Sequence, residues 1–317
     1  MRILVPFASG RSEAALAALG TLALPRLDAL LADGDVAWRD DAPPESLSPP
    51  HERALAHLRG WHAADGALPF AAAALRADGH DPGTTAWAML VPAHWQLGRD
   101  HALLADPALL ALDDAESRAL FATVAELFTS TGFRAVYGAP LRWFVGRDDL
   151  DGLPAASLDR AIGLPVEPWL ARREIAAHPA SRAVKRLLSE AQLALHAHPA
   201  NDAREARGEP AVNSLWLHGA GRERAIDATH EPTVDARLRA PFLAGDWAGW
   251  AEAWHALDAG PVAEVQAAVR AGRAASLVLC GERGAVQVEA RARSLWQRTV
   301  GRFAGGCVQA ASLLEGL

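Results

Sequence analysis

Short apolar segments alternate with amphipathic ones along the chain. The apolar run RILVPFASG, residues 2–10, ends in small residues, which indicates a buried strand leading into a loop. SEAALAALGTLALPRLDALLADG follows with helical periodicity, which is interrupted near Gly20 and Pro25. SLWLHG at 214–219 and ASLVLCG at 275–281 have the composition of further buried strands.

Three longer segments have the periodicity of helices. DDAESRALFATVAELFTSTG has Asp113 as a candidate cap, Glu116 three residues on, and a stripe of Leu120, Val124 and Leu127. SRAVKRLLSEAQLALHAH and DWAGWAEAWHALD are the other two, and the second carries a stripe of tryptophans that is typical of core. AVQVEARA alternates as a half-exposed strand does. Strands separated by helices predict an α/β sheet.

Composition narrows the class of protein. The 317 residues are 50% hydrophobic and 22% charged, which is typical of a globular chain with one large core or two ordinary ones. The net charge of -7 argues against nucleic acid and anionic membranes as partners. The start of the chain lacks signal-peptide character, and no apolar stretch reaches membrane-spanning length. With two cysteines, Cys280 and Cys307, outside any CxxC pair, we expect a soluble cytoplasmic protein.

Sequence motifs alone indicate no reaction. His51, His57 and His62 are spaced by six and five, which does not stack them on one helical face as zinc pairs require. The chain contains no GxSxG and no Walker loop, and GAGR at 219–222 lacks the third glycine of a dinucleotide fingerprint. The carboxylates of Asp148, Asp149 and Asp151 are typical of a solvated loop.

The stretch HAHPANDAREARGEPAVNSLWLHGAG, residues 196–221, resembles a specific family pattern. In the archaeal-type, cofactor-independent phosphoglycerate mutases of the alkaline phosphatase superfamily, DHPVN precedes an Arg-rich loop and the strand PANSIWLWGQG. LALPRLDALLADG and LPFAAAALRADGHDPGTTAWAMLV are also similar to segments of that family. A narrower resemblance is to a proteobacterial group of RpfE-type regulatory proteins.

The resemblance implies an α/β fold with an alkaline-phosphatase-like core sheet flanked by helices and a smaller inserted α/β domain. We expect the core domain at 1–65 plus 171–317 and the inserted domain at 66–170. Phosphoglycerate mutases of this type use paired cations and a serine nucleophile.

Three elements of that catalytic set differ in this chain. Phe7, in PFASGR, stands where the family has its first metal-binding Asp. In PHERALAHLRGW, His51 stands at the serine and Leu55 at a metal-binding histidine. Glu282 and Arg283 stand at a late Asp-His pair, and a guanidinium does not ligate a cation. We therefore predict no metal and no cofactor.

Some polar residues do match the family pattern around its substrate cleft. Ala88 and Leu110, however, stand where the family has arginines. Guanidinium forks suit phosphate or carboxylate, so a small anionic ligand is one expected partner. Alternatively, Asn201, Arg204 and Asn213 tie the helix-loop-strand junction together through backbone hydrogen bonds. The ligand-binding candidates are Arg142, His198, Asn201, Arg204, Arg207, Asn213 and Trp216.

Three functional hypotheses follow. The first is a mutase-like protein without catalysis that acts as a regulatory or binding protein, on a small anion or a protein partner. The second is a phosphoryl-transfer enzyme with a rebuilt, metal-free site in which His51 takes the phosphoryl group and arginines replace the metal charge. The third is an interaction scaffold whose partner surface is formed by tryptophans, among them Trp61, Trp95, Trp169 and Trp296.

Overall fold

A computed structural model describes residues 1–226, 231–290 and 309–317. Its strands are β1 (Arg2–Val5), β2 (Gly34–Asp41), β3 (Ala86–Ala93), β4 (Trp95–Leu97), β5 (Ala102–Leu104), β6 (Arg134–Ala139), β7 (Arg142–Gly146), β8 (Ser214–Arg222), β9 (Thr233–Val234), β10 (Ala275–Cys280) and β11 (Gly284–Ala290). Its helices are α1 (Glu13–Gly20), α2 (Pro25–Asp33), α3 (Pro50–Leu58), α4 (Phe70–Ala77), α5 (Asp114–Ser130), α6 (Leu158–Ala161), α7 (Glu167–Leu170), α8 (Arg173–Ala177), α9 (Ser181–His196), α10 (Pro199–Ala206), α11 (Arg239–Leu243), α12 (Trp247–Leu257), α13 (Ala263–Arg270) and α14 (Ala310–Glu315). Trp296 and Cys307 lie outside the described residues.

The chain divides into two compact units. The first comprises Met1–Glu45, Pro49–Gly60 and Ile226–Leu317, and the second comprises Ser46–Ser48 and Trp61–Ala225. The predicted insertion, 66–170, falls inside the second unit. Residues 171–225, which we expected in the core domain, also lie in the second unit because β8 pairs with β3 there.

The sheet of the first unit is mixed, with the strand order β2-β11-β10-β1-β9. β1 runs parallel to β10 and β9, whereas β11 is antiparallel to both of its neighbours. Apolar side chains from both faces pack under helices: Val5 and Leu277 belong to one cluster, and Leu4 and Val278 to another. The predicted α/β class, a central sheet flanked by helices, is confirmed.

The prediction that β11 is half-exposed is wrong. Val286 and Val288 are buried as expected, but Gln287 between them is only 6% exposed. β11 is an inner strand, and Ala285 packs with Ala54 of α3 on the face that the alternation assigns to solvent. A strand covered on both faces does not need an alternating sequence, so the pattern misled the prediction.

The tryptophan stripe of α12 is core, as predicted. Trp250 and Trp254 are fully buried in the first unit, and Trp247 packs at their edge. Neighbouring rings meet edge to face, with centroids 5.9 and 6.2 Å apart along the stripe. Every tryptophan within the described ranges is buried or half-buried.

The second unit contains an antiparallel sheet with the order β6-β7-β3-β8 and a separate β4-β5 hairpin. α5 and α9 cover one face of the sheet through Val124 and Leu187, which pack in one cluster with Val145. The predicted cap of α5 is confirmed, because the Asp113 carboxylate accepts a hydrogen bond from the Glu116 amide at 2.7 Å.

No single helix in the described part of the chain has the length and apolar character needed to cross a membrane. The pair α1 and α2 meets that test of length and composition only when taken together, and these two helices are bent by 85°.

A buried carboxylate from a distant segment caps α2. The residue before α2, Leu24, supplies no side-chain cap. Asp258, which is 3% exposed, accepts hydrogen bonds from the amides of Leu27 at 2.8 Å and Arg26 at 3.3 Å. The carboxylate thus satisfies amides that the helix leaves unpaired at its N-terminus.

We predict that Asp258→Ala lowers the free energy of unfolding by about 2 kcal/mol, because it leaves two helix-end amides without their acceptor. Urea denaturation at neutral pH measures the effect. Asp258→Asn keeps one acceptor oxygen and loses less. An unchanged unfolding midpoint in the alanine variant would contradict this capping role.

Candidate functional site

The turn after β1 holds Phe7 in a left-handed backbone conformation, with φ at 58°. This conformation costs a residue other than glycine on the order of 1–3 kcal/mol, so its surroundings must impose it. The Phe7 carbonyl accepts a hydrogen bond from Trp250 Nε1 at 2.9 Å, and the Ala8 carbonyl accepts one from Trp254 Nε1 at 3.2 Å. The two indoles of α12 therefore fix the turn.

The Phe7 side chain belongs to an aromatic cluster formed by Phe7, His51, Phe242 and Trp247. Its ring centroid lies 5.3 Å from that of His51 and 5.2 Å from that of Phe242, which in turn contacts Trp247. Phe7 is 8% exposed. The position at which the resemblance expects a carboxylate is thus filled by a buried aromatic ring.

α3 places the next two positions of the expected catalytic set. His51 lies in its first turn, against Phe7, while Leu55 packs with Leu4 and Ala54 in the core cluster over the sheet. Leu55 therefore serves the packing of α3 on the sheet.

The turn between β10 and β11 carries the remaining two positions. Glu282 accepts a hydrogen bond from the Arg11 amide at 2.8 Å. The Arg283 amide donates to the Leu317 carbonyl at 2.8 Å, and its own carbonyl accepts from the Arg53 guanidinium at 2.9 Å. Arg283 Nε is buried and has no hydrogen-bond partner among the described residues. The turn thus holds one carboxylate, engaged by a backbone amide, and one buried guanidinium, which does not ligate a cation.

Two of the histidines, His57 and His198, make contacts within the fold. The His57 ring stacks on Trp38, with centroids 4.4 Å apart and planes inclined by 11°. His198 caps α10, because its Nδ1 accepts from the Ala200 amide at 3.1 Å. Within residues 1–226, 231–290 and 309–317, no three His, Cys, Asp or Glu side chains are grouped so as to hold a metal ion.

The two asparagines of the motif tie backbone segments together. Asn201 is buried; its amide nitrogen donates to the carbonyls of Leu195 at 2.7 Å and Val212 at 2.9 Å, and its oxygen accepts from the Val212 amide at 2.8 Å. The side-chain oxygen of Asn213 accepts from the Trp95 amide at 2.8 Å, and its side-chain nitrogen donates to the Trp95 carbonyl at 3.0 Å. These are the backbone hydrogen bonds that the alternative interpretation of the motif expects.

Arg204 and Arg207 share one carboxylate. The Arg204 side chain is fully buried and donates to the Pro210 carbonyl at 2.8 Å, to Glu116 at 2.7 Å and to the Leu110 carbonyl. Arg207 pairs with Glu116 and with Glu209. Hydrogen bonds to the carboxylates of Glu209 and Glu116 raise the pKa of Arg207, and the guanidinium of Arg207 in turn lowers the pKa of Glu209. Arg204 is therefore committed to the fold, whereas Arg207 is half-exposed.

Two further candidates, Arg142 and Trp216, have partners of their own. Arg142 on β7 forms a two-point ion pair with Asp78, at 2.7 and 2.6 Å, which raises the pKa of the arginine. Trp216 on β8 is buried, and its indole donates to the Ala156 carbonyl at 2.9 Å. The fold thus brings Asn201, Arg204 and Arg207 together. Anion binding by the half-exposed arginines stays a prediction.

A cavity of about 490 Å³ opens within the second unit. One face of α9 lines it with Ser181, Val184, Lys185, Leu188, Ser189 and Gln192, at the spacing of successive helical turns. Trp95, Trp169 and Trp216 supply aromatic surface. This volume and apolar character are typical of pockets that hold small organic ligands.

The cavity carries two ionisable side chains, Glu167 and Lys185. Glu167 accepts a hydrogen bond from the Ala102 amide at 3.1 Å, and hydrogen bonds from its own backbone and from Ala102 lower its pKa. Lys185, the single lysine of the chain, is exposed and makes no hydrogen bond or ion pair with any described residue. Sequence reasoning missed this site, although the solitary lysine was a visible signal.

His218 on β8 is held neutral. Burial lowers its pKa to about 4, against a smaller opposing effect of the Asp159 carboxylate, and its Nε2 has no hydrogen-bond partner in the described part of the chain. An imidazole that resists protonation links the stability of this unit to pH.

Of the comparisons with known proteins, the one with solved structures gives matches. No protein-family model matches the chain, and no curated protein sequence does. The chain is similar to a cofactor-independent phosphoglycerate mutase from Thermoplasma acidophilum DSM 1728, at 16% identity and a TM-score of 0.37, over 91% of this chain and 89% of that one. It is also similar to the PH0037 protein from Pyrococcus horikoshii, at 15% identity and a TM-score of 0.45, over 92% and 87%. Neither similarity assigns an activity.

We predict that Asn201→Ala lowers the free energy of unfolding by about 3 kcal/mol, because it removes three hydrogen bonds and leaves buried backbone groups unpaired. Glu205→Ala, an exposed change in the same helix, serves as the control and alters stability by less than about 0.5 kcal/mol. Chemical denaturation of both variants decides the question. Equal stability of the two would contradict the structural role of Asn201.

We predict that stability falls as the pH drops from 6.5 toward 4, because the unfolded chain then protonates His218 while the folded chain does not. The linkage amounts to about 2 kcal/mol at pH 5, at about 1.4 kcal/mol for each pKa unit. His218→Gln removes this contribution, so the gap between wild-type and variant stability should change by that amount between pH 7 and pH 5. Parallel pH curves for the two proteins would refute the assignment.

Proposed function

We propose that this chain is a phosphoglycerate mutase-like protein that lacks the metal-dependent chemistry of that family and acts by binding a ligand or a protein partner. The aromatic cluster at the end of β1 is the observation that carries the proposal. The resemblance places Phe7 at the first metal ligand and His51 at the nucleophile, and the two rings pack against each other, with Phe7 buried.

Charge supports the same conclusion. A divalent cation loses its water shell on binding and needs anionic oxygen or imidazole ligands to compensate. Phe242 packs against Phe7 and offers no ligand atom, and the resemblance places the guanidinium of Arg283 at the late histidine position. The remaining ligand types are the His51 imidazole and the Glu282 carboxylate, and Glu282 already accepts a hydrogen bond from the Arg11 amide. Such surroundings disfavour a dication.

The rebuilt-enzyme hypothesis makes His51 the acceptor of a phosphoryl group. The contact of its ring with Phe7 favours a packing role instead. His51→Ala separates the two hypotheses, because a phosphohistidine mechanism depends wholly on that imidazole.

The direct test is the metal content of purified protein after incubation with Mn²⁺, Zn²⁺ and Mg²⁺ and removal of free ions. We expect no stoichiometric metal, and no turnover of 2- or 3-phosphoglycerate or of p-nitrophenyl phosphate. About two equivalents of metal together with turnover would overturn the proposal, since two cations are what the family mechanism requires.

A second arm uses His51→Ala in the same assays. Metal-free turnover that this variant abolishes would establish the rebuilt enzyme and contradict the proposal. The Glu205→Ala variant, an exposed change in the second unit, is the matched control for preparation-dependent contaminants, because any residual activity that it shares with wild-type and His51→Ala protein does not come from His51.

A further inference from the structure

The cavity of the second unit combines an apolar interior with one uncommitted cation. Its lining includes Trp95, Trp169, Val184 and Leu188, so a ligand with an apolar body gains from transfer out of water. Lys185 both lines the cavity and is exposed, so it belongs to the solvent-accessible part of the lining.

Charged groups around the opening favour an anion at Lys185. The one carboxylate of the lining, Glu167, already accepts the Ala102 amide. On the same helix, Arg186 pairs with Glu190. Lys185 makes no such contact with the described residues, so its ammonium is available to a ligand carboxylate.

We propose that this cavity binds an amphipathic carboxylic acid, with its apolar body among the tryptophans and its carboxylate paired with Lys185. The inference goes beyond the proposed function, because it rests on the second unit, whereas the proposed loss of metal chemistry rests on the first. Each can fail while the other stands.

Polar contacts inside the cavity are few. Gln192 donates to the Ser214 hydroxyl at 2.9 Å, and the Trp216 indole donates to the Ala156 carbonyl. Gln192 and Trp216 are therefore already paired, and the buried Trp95 Nε1 is a donor of the lining without a partner among the described residues. A ligand body rich in hydroxyl groups would find few partners there. A plain hydrocarbon or aromatic body fits better than a sugar phosphate.

Calorimetry with three probes of equal chain length tests the head group: dodecanoate and dodecyltrimethylammonium below their micelle concentrations, and dodecanol below its solubility limit. We expect dodecanoate to bind most tightly, dodecanol about three- to fivefold more weakly, and the cation weakest. This is the range that a single partly exposed ion pair supplies. Equal binding of all three, or no binding of dodecanoate, would overturn the proposal.

Three variants test the location. Lys185→Gln should weaken dodecanoate about three- to fivefold and leave dodecanol unchanged, whereas Arg182→Gln, the same change of charge at an exposed position outside the lining, should alter neither. Ser189→Trp places a bulky ring at an exposed position of the lining and should abolish binding of both probes. Thermal unfolding confirms that each variant is folded. If Lys185→Gln and Arg182→Gln weaken dodecanoate equally, the effect is one of net charge and the site is wrong.

Because the chain has one lysine, its reactivity gives an independent measurement. Dodecanoate should protect Lys185 from reductive methylation, scored by mass spectrometry of the lysine-containing peptide, while the N-terminal amine stays reactive. Undiminished labelling of Lys185 at saturating dodecanoate would contradict the pairing.

Discussion

The arrangement of the first unit depends on two indole hydrogen bonds. Trp250 and Trp254 donate to consecutive carbonyls, those of Phe7 and Ala8, directly after the parallel strand β1. Buried carbonyls need such partners, and buried indole N–H groups need acceptors, so each contact satisfies both groups. The strained backbone of Phe7 persists because α12 holds it, and the direction of the Phe7 side chain follows. The aromatic cluster is therefore a consequence of how α12 docks on the sheet.

In the second unit the corresponding constraint is the junction from α9 through α10 to β8. Asn201 joins the end of α9 to Val212, which lies two residues before β8, and buried Arg204 joins α10 to α5 through Glu116. Residues of these types in an Arg-rich loop look like an anion site in sequence, because guanidinium and amide groups serve both purposes. Burial and partners distinguish the two roles: an arginine whose three nitrogens already donate within the fold has little left for a ligand.

Local patterns were sufficient where one segment determines its own structure. The cap and stripe of α5, the presence of helix α9 and the buried indoles of α12 followed from spacing alone. Pairing between segments distant in sequence could not be predicted in this way. The strand β2 was missed because GDVAWRDD is polar, and it is a strand only because β11 pairs with it. The burial of Gln287 depends on α3, and the pairing of β8 with β3 moved residues 171–225 out of the expected core domain. The cavity was equally invisible, since it needs segments far apart in sequence.

Arginine and lysine make different kinds of contact in this chain. Lysine and arginine together number 31, yet a single one of them is lysine. Arginine forms two-point pairs with carboxylates, as Arg142 does with Asp78, and such pairs anchor a fold. A lysine is a poorer anchor and a more mobile charge, which suits a partner that comes and goes. Lys185 lines an apolar cavity and, unlike the neighbouring Arg186, has no ion-pair partner among the described residues, which is the property on which the proposed carboxylate site rests.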